Sequence, residues 1–238
     1  MLELKNIGYC AGEKTILDDV NLRFDYGKIY AITGHNGSGK STLVKLVMGI
    51  LSGQGDVVLD GKNINGLSVS ERARCGIGFS FQQPVRFKGL CVSDLLGVAS
   101  GGKGSFACGC KYLSRVGLCA KDYYQRELDS SLSGGELKRI ELAINLAQNK
   151  KINIFDEPEA GIDIWSFDGL VDIFKEMREC GAMTIIVTHQ QKILEIADEI
   201  IVLKEGKVEK CGAAKEVLST LNSSTCKKLG GGAKNGQN

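Results

Sequence analysis

Phosphate is polyanionic, and Gly34-His35-Asn36-Gly37-Ser38-Gly39-Lys40-Ser41 has the residue types to hold it. Glycines at 34, 37 and 39 let backbone N–H groups approach closely, and a helix beginning behind the loop adds the partial positive charge of its N-terminus. Asn36 and Ser38 complete the wrap, Lys40 reaches the β and γ oxygens, and the Ser41 hydroxyl, with Thr42 beside it, can coordinate Mg²⁺. His35 stands inside the loop without an assigned chemistry.

A second group of residues can act on what the loop binds. Ile152-Asn153-Ile154-Phe155-Asp156-Glu157 is an apolar strand ending in two carboxylates, which is where ligands of doubly wound sheets sit. Asp156 is expected to orient Mg²⁺ through its water shell, and Glu157, on the other side of the backbone, to polarise an attacking water. His189 follows the apolar strand Met183 to Thr188 and can hydrogen-bond the γ-phosphate or that water. Gln82, at another strand end, is a candidate sensor of Mg²⁺, and Tyr9 either stacks on a base or packs in the core.

Leu132-Ser133-Gly134-Gly135-Glu136 has two compatible readings. Ser-x-x-Glu is a capping box that starts a helix whose apolar face is Leu137, Ile140, Ile144 and Ala147. The same capped start, with Gly134 and Gly135, exposes N–H groups and the Ser133 hydroxyl, which makes a second clamp for a γ-phosphate.

Strands and helices must position these residues. Leu2 to Tyr9 and Val20 to Phe24 read as edge strands, Lys28 to Thr33 as a buried strand, and Lys40 to Met48 as the helix after the loop. Val57 to Leu59 and Gly76 to Phe81 are further strands. Helical pieces at Val92 to Val98 and Lys111 to Val116, joined by a glycine-rich link, read as a small helical insertion over about 84–131. Strand and helix then alternate: Ile152 to Phe155, Trp165 to Glu179, Met183 to Thr188, Gln190 to Ala197, Ile200 to Leu203. The fold class is α/β, a mostly parallel sheet with helices on both faces and an antiparallel β-subdomain at the N-terminal end. Residues 1–222 read as one domain and 223–238, polar and glycine-rich, as a disordered tail.

Composition narrows the class of partner. The 238 residues are 43% hydrophobic and 24% charged with a net charge of +2, so no field of one sign points to direct nucleic-acid binding. No apolar run approaches the roughly 20 residues a membrane helix needs, so a membrane would be reached through a partner. Nine cysteines without a secretion signal fit a reducing cytosol, and the Cys108-x-Cys110 pair lacks a second pair at zinc-site spacing.

Taken in order, Tyr9, Gly34 to Ser41, Gln82, Leu132 to Glu136, Phe155-Asp156-Glu157-Pro158 with Ala160-Gly161-Ile162-Asp163, and His189 resemble the ATPase subunits of the ABC family across about 1–222. The resemblance implies a P-loop ATPase using ATP and Mg²⁺. It also implies a head-to-tail dimer in which Ser133, Gly134 and Gly135 of one chain cap the nucleotide on the other's loop, with Asp163 at the dimer contact. Transporter ATPases mostly have Gln in place of Glu136 and Pro-Thr-Ser-Gly-Leu-Asp where this chain has Pro158-Glu159-Ala160-Gly161-Ile162-Asp163. Glu136 followed by Lys138-Arg139, with an acid after Pro158, is more similar to SufC, the SUF ATPase of iron-sulfur cluster assembly, in a minimal form with a shortened insertion. That likeness implies a cytoplasmic protein on a SufB/SufD-like soluble scaffold, whereas the transporter likeness implies a membrane permease subunit.

Overall fold

The structure, a computed structural model, describes residues 1–102, 105–161 and 164–229. β1 (Leu2–Ala11) and β2 (Lys14–Phe24) form an antiparallel hairpin turning at Gly12, whose φ of 62° suits a residue without Cβ. β2 starts well before the expected Val20. Register shifts in this pairing, with Asn6 and Asp19 both at φ 51°, break the period-two alternation that would have revealed it. β3 (Ile29–Thr33), buried throughout, runs into the loop and α1 (Lys40–Met48). β4 (Gln54–Leu59) and β5 (Lys62–Asn63) complete a four-stranded sheet in the order β2-β1-β4-β5.

α2 (Val69–Arg74), opened by the Ser68–Glu71 capping box, leads to β6 (Ile77–Ser80). The insertion holds α3 (Val92–Ala99), α4 (Phe106–Arg115) and α5 (Ala120–Tyr123), and it is not purely helical. β7 (Phe87–Cys91) pairs antiparallel with β8 (Glu127–Leu128) and closes its base. α6 (Gly134–Gln148), β9 (Ile152–Asp156), α7 (Ile164–Glu179), β10 (Met183–Val187), α8 (Gln191–Ile196), β11 (Glu199–Lys204), β12 (Lys207–Ala213) and α9 (Ala214–Leu229) follow. α9 thus carries regular structure through 229, beyond the 222 boundary expected for the domain, and 230–238 lie outside the described residues.

The second sheet runs β12-β11-β3-β10-β9-β6, parallel from β11 to β6 with β12 antiparallel at one edge. Strand alternation splits its side chains between two cores. Ile29, Ala31, Phe155 and Ile186 pack with the apolar faces of α6 and α7, whereas Tyr30, Ile32, Ile154 and Ile185 pack with α1 and the antiparallel sheet. Covering both faces explains why β3, β9 and β10 are buried at every position. Among the described residues no helix is long and apolar enough to cross a membrane.

Candidate nucleotide site

Four neighbouring parallel strands, β3, β10, β9 and β6, deliver their carboxyl ends to one edge of the sheet. The glycine loop follows β3, Thr188 and His189 follow β10, Asp156 and Glu157 end β9, and Gln82 lies just beyond β6. Lys40, Ser41, Thr42, Asn36, Gly37, Gly39, Gln82, Glu157 and His189 line an open cleft of about 530 Å³ there.

The loop geometry needs its glycines. Gly34 sits at φ 138°, and a Cβ there would fall 2.0 Å from the Leu203 carbonyl oxygen. Gly39, at φ 100°, would meet Leu17 and the Ile16 carbonyl at 2.6 and 2.9 Å. Lys40 folds back to donate to the carbonyls of Gly34 at 2.8 Å and His35 at 3.0 Å, and burial pulls its ammonium below the usual lysine range. Ser38 is buried behind the loop.

Ser41 Oγ donates to Asp156 Oδ1 at 2.9 Å, joining the loop to the end of β9. Burial raises the Asp156 carboxyl, against the stabilising Ser41 bond. A hydroxyl and a carboxylate this close, with the Gln82 amide on the cleft wall, make an all-oxygen set that suits the hard ion Mg²⁺. Glu157 occupies the left-handed region at φ 48°, uncommon for a residue with a side chain, and its N–H donates to Val187 O at 2.9 Å. That turn directs its carboxylate to Gln82, whose Nε2 donates to Glu157 Oε2 at 2.6 Å. Burial, followed by the Lys40 charge, lowers the His189 imidazole below its usual value.

Ser133, Gly134 and Gly135 are not in the cleft lining. They open α6 at an exposed or half-exposed N-terminus, where Ser133 Oγ accepts from Glu136 N–H at 3.3 Å and Glu136 Oε2 accepts from Ser133 N–H at 2.7 Å. Gly135 packs so close to Gly161 that a Cβ would meet its carbonyl at 2.7 Å. Tyr9 lies half-buried against the core of the antiparallel sheet, opposite Leu17, and the corresponding wall of the cleft is Lys14 and Ile16 of β2. Asp163 and Ile162 lie outside the described residues.

A clamp behind Gln82 gives Lys138, noted in the sequence only beside Glu136, a structural task and adds Glu141 to it. Lys138, fully buried, donates to the Phe81 carbonyl and pairs with Glu141 at 3.3 Å, while Glu141 Oε1 accepts from Phe81 N–H at 3.0 Å. Two residues one turn apart on α6 therefore grip both faces of the peptide chain preceding Gln82. The i, i+3 spacing of opposite charges is visible in the sequence, but on a helix it reads as an ordinary surface pair.

A strand–loop–helix phosphate cradle at the carboxyl edge of a parallel sheet defines a P-loop nucleotide hydrolase. Residues 17–160 match the ABC transporter family, and the chain belongs to that family. It is 36% identical over 227 residues to an uncharacterized ABC transporter ATP-binding protein of Methanocaldococcus jannaschii, covering 91% of this chain and 90% of that one. With the probable ATP-dependent transporter ycf16 of Pyropia yezoensis it shares 33% identity over 235 residues, covering 90% and 91%. An ATP-binding cassette solved as a dimer in a post-hydrolysis state with ADP and Pi superposes with a TM-score of 0.80 at 27% identity, over 90% of this chain and 99% of that one. The protein is an ABC-type, Mg²⁺-dependent ATPase.

Proposed function

We propose that the chain works as one half of a head-to-tail dimer that closes over two ATPs, and that it is the SufC-like motor of iron-sulfur cluster assembly on a soluble, cytosolic SufB/SufD-like scaffold. The carrying observation is the separation of two phosphate-binding sets. Lys40, Ser41, Gln82, Glu157 and His189 share one cleft, whereas Ser133 to Gly135 open α6 outside its lining. A nucleotide bound on the loop thus lacks the second clamp until another copy supplies it, and the relation is reciprocal.

Within each site the chain's own groups have separable roles. The loop N–H groups and Lys40 bind the β and γ oxygens. Ser41, Asp156 and Gln82 would hold Mg²⁺, which would supply neutralising charge to those oxygens. Glu157 orients the water and takes its proton as the new P–O bond forms and ADP leaves. His189, kept neutral by burial and by Lys40, donates a hydrogen bond towards the γ-phosphate.

The assembly reading rests on Glu136 and Glu159, acids where transporter ATPases mostly carry Gln and Thr. A membrane permease partner is the second reading, favoured by the names of the transporter relatives. An apolar groove beside Gln82, about 250 Å³ and lined by Phe79, Phe81, Val85, Phe87, Leu95 and Ile140, offers a seat for a segment of a partner of either kind. Affinity capture of the chain from its own cells separates the two. A soluble scaffold is the expected companion, and an integral membrane subunit would overturn the assembly reading.

A further inference from the structure

We infer that Tyr123 and Arg126, both in the insertion, are positioning residues for the phosphate-binding end of α6, acting through Glu136. Tyr123 OH donates to Glu136 Oε1 at 2.5 Å, and Arg126 Nη1 lies 3.7 Å from the same oxygen. The Arg126 guanidinium also covers the Tyr123 ring, 5.2 Å from its centroid, and donates to Ser131 O and Ser131 Oγ, both at 3.3 Å. The other carboxylate oxygen, Oε2, closes the Ser133 capping box at 2.7 Å. Glu136 therefore spends one oxygen on its own helix and the other on the insertion.

A capping box needs only the first of these. A glutamine keeps one acceptor for Ser133 N–H, but its remaining group is an NH₂, from which the Tyr123 hydroxyl can turn to accept and the donor-only Arg126 guanidinium cannot, so only an acid keeps both insertion contacts. The acid that sets this sequence apart from most transporter ATPases thus has a structural role, tying Ser133, Gly134 and Gly135 to the insertion. Leu128 of β8, two residues after Arg126, lines the apolar groove, so the groove and the contact to Glu136 share one short segment. This rests on the composite-site reading.

The test uses the full-length chain carrying Glu157→Gln, in which ATP holds the dimer, with sedimentation measuring dimer dissociation and a fluorescent ATP analogue measuring binding to the dilute monomer. Tyr123→Phe and Glu136→Gln are each expected to weaken the ATP-held dimer about tenfold, the size of one lost hydrogen bond to a charged group, with roughly a few degrees lost in melting temperature and analogue binding at the parent value. Arg126→Lys should recover part of what Arg126→Met loses. Unchanged dimer dissociation in these variants, when Ser133→Arg in the same background breaks the dimer, overturns the inference alone. A joint fall in melting temperature and analogue binding also overturns it, because a contact that merely supports the fold behaves that way. If Ser133→Arg leaves the dimer intact, the composite-site reading fails and this inference with it.

Discussion

Gln82 donates from Nε2 to Oε2 of Glu157 at 2.6 Å, so the residue beyond β6 holds the carboxylate that ends the neighbouring strand system at β9. A Gln82 side chain drawn towards Mg²⁺ leaves that carboxylate to the water. Gln82→Ala is therefore expected to lower kcat roughly tenfold and raise the Mg²⁺ concentration for half-maximal rate, with KM for ATP changed little. Steady-state ATPase assays across a Mg²⁺ titration check this, and an unaltered Mg²⁺ dependence removes Gln82 from the role.

Glu157→Gln keeps the shape of the turn and the acceptor for Gln82 but loses the base. Turnover should drop by about 10²-fold or more while ATP still binds and the dimer accumulates. Normal hydrolysis by this variant would refute the role given to Glu157.

Lys138 is a buried charge compensated by Glu141 and the Phe81 carbonyl. Glu141→Leu leaves that charge without its counter-ion and should destabilise the fold by about 3–5 kcal/mol, whereas the double variant Lys138→Met, Glu141→Leu should cost far less. Denaturant unfolding of the two variants decides it, and equal losses would mean the pair is not coupled.

Glu159 accepts from Thr188 Oγ1 at 2.5 Å, and burial raises its carboxyl above the ordinary glutamate range. A raised folded-state value means the folded chain holds this proton more tightly than the unfolded chain, at about 4.3. Its contribution to stability is full below that pH and declines as pH rises through the folded value. Relative to the parent, Glu159→Gln should therefore gain melting temperature as pH rises above about 4.3. A parent-minus-variant difference that stays flat with pH counts against the buried carboxylate.

The glycine loop, the Asp156–Glu157 strand end and His189 were legible because each combines a local residue pattern with a short strand buried along its whole length. Strand order was not legible, yet it is strand order that sets β3, β10, β9 and β6 side by side and gathers their ends into one cleft. Tyr9 stands at the motif's place for an aromatic; it pairs with Leu17 and lies half-buried against the core, while Lys14 and Ile16 of β2 line the cleft. The pairing of β7 with β8 carried no local signal, because Phe87 and Leu128 are partners far apart in the sequence, at opposite ends of the insertion. The Tyr123–Glu136 contact was hidden for the same reason, although Glu136 itself stood out.

The central claim is that each active site is built from two chains, and mixing two inactive variants tests it most directly. Lys40→Ala removes the loop's grip on ATP, and Ser133→Arg removes the clamp offered to the other chain. Each alone should be inactive. In a head-to-tail dimer of one of each, both defects fall on the same site and the other site is intact, so an equimolar mixture should recover roughly a quarter of the parent ATPase rate. A mixture no more active than the separate variants would contradict the two-chain site.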